Sequence, residues 1–129
     1  MTSTRDPSQE IERLVRDLFA AVDTRDPQRV GGFVTDGVRF RFGNADSLYG
    51  KDALVAASGA FSAAIAGIHH EITHLWEPEP GTVVAELRVT YRRHDGSELT
   101  LPCCNIFRVR HGLVDDYRIY MDINPVTAG

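Results

Sequence analysis

Ile11, Leu14, Val15, Leu18, Phe19 and Val22 recur at spacings of three and four, a stripe that fits one face of a helix. The segment Asp6-Pro7-Ser8-Gln9 just before it supplies a start signal, with Asp6 as the cap, a proline at the first helical position and a glutamine three residues after the cap. Asp26-Pro27 repeats the signal for a short second helix ending near Val34. A third helix is predicted from about Lys51 to Ala66, with Leu54, Phe61 and Ile65 on one side and Gly67 as its stop.

The remaining apolar residues alternate, which is the strand period. Val38, Phe40 and Phe42 share one face of an early strand, and Arg39 and Arg41 share the other. Four more strands are predicted at Ile68 to Glu77, Thr82 to Arg93, Glu98 to Arg110 and Leu113 to Ile123. The separators "EPEPG", "HDGS" and "RHG" are short and rich in turn residues, so these four form an antiparallel meander. Helices first and strands after make an α+β fold. If the apolar faces point inward, the interior is lined by Phe40, Phe42, His70, Ile72, Leu87, Val89, Tyr91, Cys103, Asn105, Phe107, Tyr117, Ile119 and Met121. A one-residue shift of the first strand would instead aim Arg39 and Arg41 inward, and spacing alone leaves both open.

A length of 129 residues suits a single domain spanning 1–129. With 18 acidic against 14 basic residues and no long basic run, the chain offers no electrostatic footprint for nucleic acid or an anionic membrane. The polar start "MTSTRDPSQE" lacks a signal-peptide core and no window reaches the length of a membrane span, so a cytoplasmic protein is expected. Cys103 and Cys104 are neighbours, a spacing that suits neither a loop-closing disulfide nor a C-x-x-C site, and both are expected as reduced thiols.

One stretch points elsewhere. His70-Glu71-Ile72-Thr73-His74 reads as H-E-x-x-H, the zinc signature of metalloproteases, which works only when a helix stacks the two imidazoles on one face. Here the letters follow a helix stop and lie among strand-forming residues. Four residues along a strand span roughly 13 Å, too far for one zinc with bonds of about 2 Å. No metal and no cofactor are expected.

The order of helix, short helix, strand, long helix and meander resembles the nuclear transport factor 2-like superfamily, in particular its SnoaL-like branch. The likeness is carried by "LFAAVDTRDPQRVGGFVTDGVRFRFG", "YGKDAL" and "LPCCNIFRVRHGLVDDYRIYMDINPV", and covers the chain from about Gln9 to Val126. It implies a cone of three N-terminal helices packed on a curved, mainly antiparallel sheet, open at one end to a small apolar molecule. It also implies a homodimer through the sheet's outer face, where Arg88, Thr90, Arg92, Ile106 and Tyr120 make a mixed surface. The catalytic positions of two branches are not matched. The ketosteroid isomerase tyrosine falls on Leu18 and its general-base aspartate near Arg41 or Phe42, and no Asp or Glu lies between Thr100 and Arg110 for its second acid. The limonene-epoxide hydrolase aspartate falls on Ile119, and its Arg and Asp pair on about Leu87 and Val89.

Four residues bring chemistry to the interior. His70 is the natural proton acceptor, because histidine changes charge near neutrality. Asn105 and Tyr117 can hold a developing oxyanion. Asp122, in "YMDINP", is a candidate because the resemblance implies an aspartate as acid/base, although strict alternation puts it on the opposite face from Tyr117, Ile119 and Met121, as a solvated or capping carboxylate unless the strand end twists. Two function classes follow: a cyclase- or isomerase-type enzyme moving a proton on a hydrophobic metabolite, and a non-catalytic binding or dimerisation module.

Overall fold

The computed structural model describes residues 6–127. Helix α1 (Gln9–Asp23) begins one turn signal later than expected: Ser8, not Asp6, is its cap. The Ser8 hydroxyl accepts from the Ile11 N–H at 3.2 Å, and the Ser8 N–H donates to the Glu77 carboxylate at 3.0 Å. The other Glu77 oxygen accepts from the N–H of Gly81 at 2.9 Å. A buried acid thus ties the start of α1 to the first hairpin of the meander, a long-range contact that local signals at Asp6 could not reveal.

Helix α2 (Pro27–Gly31) is capped by Asp26, as its start signal predicts, and ends before Val34 because the chain turns at Gly32 into strand β1 (Val34–Phe42). A two-residue strand β2 (Leu48–Tyr49), which alternation is too short to announce, pairs with β1. Helix α3 (Lys51–Ala64) stops two residues short of the expected Ala66. Its cap, Ile65, is extended and buried, and the Ala66 N–H donates to the Arg92 carbonyl at 2.8 Å, so sheet pairing captures the segment before Gly67 can end the helix. Gly67 opens strand β3 instead.

Strands β3 (Gly67–Glu79), β4 (Thr82–Arg92), β5 (Glu98–Arg110) and β6 (Leu113–Tyr120) form the antiparallel meander. β1 joins it parallel to β6, giving a six-stranded sheet in the order β2-β1-β6-β5-β4-β3. The sheet is curved and does not close, and the helices pack on its hollow side. β6 ends at Tyr120, short of Ile123, because the Asp122 carboxylate accepts from the Asn124 N–H at 3.0 Å and folds the chain into a short helix α4 (Asn124–Thr127).

Ile11, Val15, Leu18 and Phe19 of α1 join Val83, Ala85, Leu87 and Val89 of β4 and Phe107 of β5 in one buried core. The helical stripe and the alternating strands therefore meet each other, as their two periods require. No helix among the described residues is long and apolar enough to cross a membrane.

Candidate functional site

Beside this core the sheet and helices part around a cavity of about 310 Å³. Phe40 and Phe42 come from β1, Phe61 from α3, Ile68 and His70 from β3, and Tyr91 from β4. Cys103 and Asn105 come from β5, Tyr117 and Ile119 from β6, and Met121, Ile123 and Thr127 from the chain leading through α4. Val22, Val30, Ala57 and Ser58 complete the wall. None of these residues is Lys, Arg, Asp or Glu.

The first strand's register is thereby decided. Phe40 pairs with Tyr117 and Phe42 with Ile119 in the parallel β1–β6 ladder, so inward residues meet inward residues. Arg39 faces outward and forms a two-pronged ion pair with Asp116, its shorter contact 2.7 Å, and Arg41 donates to the Ala45 carbonyl at 3.1 Å.

Four residues expected on the wall are not there. Leu87, Val89 and Phe107 are 1%, 0% and 0% exposed and belong to the core, and Ile72 packs against that core rather than the cavity. They share the inward face with His70 and Asn105, but α1 covers their part of the sheet. Phe19 of α1 packs edge-on against Phe107, with ring centroids 5.8 Å apart. Asp122 is likewise outside: it is exposed, and its carboxylate is engaged in the turn before α4.

His70 has a partner that periodicity did not single out. Its Nδ1 lies 2.6 Å from Oδ1 of Asp23, the last residue of α1, and its backbone N–H donates to Oδ2 of the same carboxylate at 3.1 Å. With Asp23 ionised, Nδ1 carries the proton and donates it, which leaves Nε2 with its lone pair free. Phe19 stacks on the imidazole at 4.9 Å and fixes its plane. A signal for Asp23 did exist: it stands four residues after Phe19, on the buried stripe. It is also an acid in the last turn of a helix with no basic residue there, where the helix dipole disfavours negative charge. A carboxylate so placed requires donors from elsewhere in the fold.

The other polar groups are set by similar economy. The Cys103 thiol, which burial pushes up to about 12, stays protonated and donates to Asn105 Oδ1 at 3.2 Å. Asn105 is 1% exposed, and its Nδ2 has no partner among the described residues. Burial raises the Tyr91 and Tyr117 phenols above their ordinary range, so both remain donors. Tyr91 donates to the Met121 sulfur at 3.3 Å, whereas the Tyr117 hydroxyl has no hydrogen-bond partner among the described residues. The one side-chain nitrogen or oxygen among the described residues that is sealed without a hydrogen bond is Arg118 Nε, on the outer face, which has the Asp116 carboxylate 3.6 Å away. The free atoms of His70, Asn105 and Tyr117 therefore keep access to the cavity space. An imidazole, a carboxamide and a phenol thus line an otherwise mostly apolar chamber.

The H-E-x-x-H letters fall on β3, where His70 and Ile72 pair with Val89 and Leu87 before a bulge at Thr73 shifts the register. His74 then pairs with Glu86 on the outer face, where its Nδ1 meets the Glu86 carboxylate at 3.1 Å. The bulge sends the two histidines to opposite sides of the sheet. Among the described residues no cluster of three or more His, Cys, Asp or Glu is arranged to hold a metal ion.

A Jannaschia sp. CCS1 protein assigned to the SnoaL-like polyketide cyclases shares this fold with a TM-score of 0.81, covering 95% of this chain and 94% of that one at 18% identity. A protein with a ketosteroid isomerase-like fold from Catenulispora acidiphila DSM 44928, in complex with trimethylamine, gives 0.80 over 89% of each chain at 16% identity. An LEH-like epoxide hydrolase from M. tuberculosis gives 0.77, covering 90% of this chain and 85% of that one at 16% identity. At such identities the likeness is one of fold. No curated protein matches the chain in sequence. The family model for the SnoaL-like domain matches residues 15–117, a span that runs from the core of α1 to Tyr117 on the cavity wall. The chain belongs to the SnoaL-like family, within the superfamily of nuclear transport factor 2-like cones.

Proposed function

We propose that the chain binds a small, uncharged hydrophobic molecule in this cavity and moves a proton on it, with His70 as the base. The observation that carries the reading is the 2.6 Å contact of His70 Nδ1 with Asp23 on the wall of an apolar chamber. A carboxylate holding one imidazole nitrogen makes the other a directed proton acceptor. A lining without charged residues would leave a charged group on the ligand unpaired and desolvated, which favours a neutral ligand. A ketone fits these parts. Nε2 takes a proton from the carbon beside the carbonyl while Asn105 Nδ2 and the Tyr117 hydroxyl donate to the developing oxyanion. Return of that proton to another atom isomerises the molecule, and attack of the carbanion on a second carbonyl closes a ring. A SnoaL-like cyclase or isomerase acting on a cyclic or polyketide-like ketone is the enzyme class this chemistry describes.

Screening neutral ring ketones by thermal shift and following exchange of their α-hydrogens for deuterium in heavy water tests the reading. Wild-type protein should bind a member of the set and accelerate its exchange. Asn105→Ala should weaken binding by about fivefold, the loss of one hydrogen bond on the order of 1 kcal/mol, and His70→Ala should abolish the acceleration. Binding without accelerated exchange would make the chain a carrier, the non-catalytic reading.

We also propose a homodimer through the outer face of the sheet. Ile106 is half-buried there, and Tyr120 is 43% exposed, an unusual exposure for a large aromatic residue. Sedimentation at micromolar concentration should give twice the chain mass of 14.3 kDa. A monomer alone would refute it.

A further inference from the structure

We infer that Asp23 and His69 form a proton path through the cavity wall, by which the Nδ1 proton of His70 reaches solvent on the far side of that wall. Its use in turnover rests on the role proposed for His70, but the path itself does not.

Neighbouring residues of a strand point to opposite faces. His70 accordingly sits inside with its side chain 8% exposed, and His69 outside with its side chain 74% exposed. One carboxylate nevertheless reaches both. Asp23 Oδ1 meets His70 Nδ1 at 2.6 Å, and Oδ2 lies 3.5 Å from His69 Nδ1. This is possible because β3 is the edge strand of the sheet, so α1 ends against its free edge and Asp23 also accepts the His70 backbone N–H that no further strand can take.

Asp23 does not line the apolar cavity. It lines a separate polar depression of about 390 Å³ on the outside, with Ile68 common to both walls. The other charged groups there are Arg25, Arg92 and Glu98. Arg25 and Arg92 both donate to the Ala66 carbonyl, at 2.8 and 3.4 Å, which commits them to holding the corner between α3 and β3. His69 is thus the one imidazole in the depression and the natural carrier of a proton between Asp23 and water.

The steps balance. When Nε2 of His70 takes up a proton, the Nδ1 proton passes to Asp23 Oδ1, the carboxyl group turns to present that proton to His69 Nδ1, and His69 releases its Nε2 proton to solvent. His70 is then neutral with the proton on Nε2, a short-lived tautomer whose Nδ1 lone pair faces the Asp23 carboxylate and which lasts only until a proton returns to Nδ1. When Nε2 later gives its proton back to the ligand, the same groups return one from solvent to Nδ1.

The test uses ligand-free protein, so it stands whether or not any substrate is turned over. The exchange lifetime of the His70 Nδ1 proton with water is measured by NMR on protein labelled at the histidine nitrogens, at low buffer concentration. Replacement of His69, whose side chain is 74% exposed, by alanine should lengthen that lifetime by about tenfold or more, or make visible a resonance too short-lived to see in wild type. Added imidazole, small enough for the depression, should shorten it again. A lifetime unchanged in His69→Ala, a resonance absent in both proteins, or no response to imidazole would overturn the path. In any reaction the protein performs, His69→Ala should lower kcat in dilute buffer, leave KM unchanged and respond to imidazole; absence of turnover with the exchange result intact would refute the proposed function and leave the path standing.

Discussion

Replacing Asp23 by asparagine is expected to lower proton-transfer activity by about 10²–10⁴-fold, the usual range for loss of a positioned general base, with ligand affinity little changed. The reason lies in what the carboxylate does with its two oxygens. Both accept, one from His70 Nδ1 and one from the His70 backbone N–H. An amide has one acceptor and one donor, and the backbone N–H cannot change its role. The amide oxygen turns to the backbone, its NH₂ faces Nδ1, and the imidazole answers by moving its proton to Nε2. That tautomer has no lone pair toward the cavity, so the base is lost while the shape of the wall is kept. Deuterium exchange of a bound ketone, compared with binding of the same ketone by titration, separates the two quantities. Loss of binding in parallel with loss of exchange would make Asp23 a structural tie between α1 and β3 rather than the group that orients the base.

Phe107→Ala is expected to destabilise the fold by about 3–5 kcal/mol, the cost of deleting a fully buried aromatic ring. Phe107 is 0% exposed and wedged between Phe19 of α1 and Tyr117 of β6, at centroid distances of 5.8 and 4.9 Å. The truncated ring leaves Phe19 unsupported, and Phe19 is the residue stacked on His70. Denaturant unfolding measures the loss. A change below about 1 kcal/mol, accompanied by weaker ligand binding, would return Phe107 to the cavity wall where alternation had placed it.

Local order was legible because it is written locally. The stripe from Ile11 to Val22 specifies α1, and the alternation from Thr82 to Tyr120 specifies the meander. The two faces of β4 and β5 follow from a period of two whatever they pack against. The family was legible for the same reason, since order and spacing of elements are properties of the chain. The ends of elements were less so. Ser8 became the cap of α1 because Glu77, far along the chain, takes its N–H, and α3 stopped at Ala64 because Ala66 paired with Arg92.

Alternation says which face a residue is on but not how deep it lies or what covers it. Leu87, Val89 and Phe107 are on the face of Asn105, yet α1 packs down on them and leaves the hollow elsewhere. Between His70 and His74 the bulge reversed the face itself, which no count of four residues could anticipate. The pairing of Asp23 with His70 joins residues 47 apart in the chain. It depends on the end of a helix coming to rest against the free edge of a strand, where one carboxylate can reach an edge N–H and imidazoles on both faces. Sequence periodicity fixed the two elements. Their relative placement was decided by the burial of Phe19 against Phe107, because side-chain packing, unlike periodicity, acts between parts of the chain that do not neighbour one another.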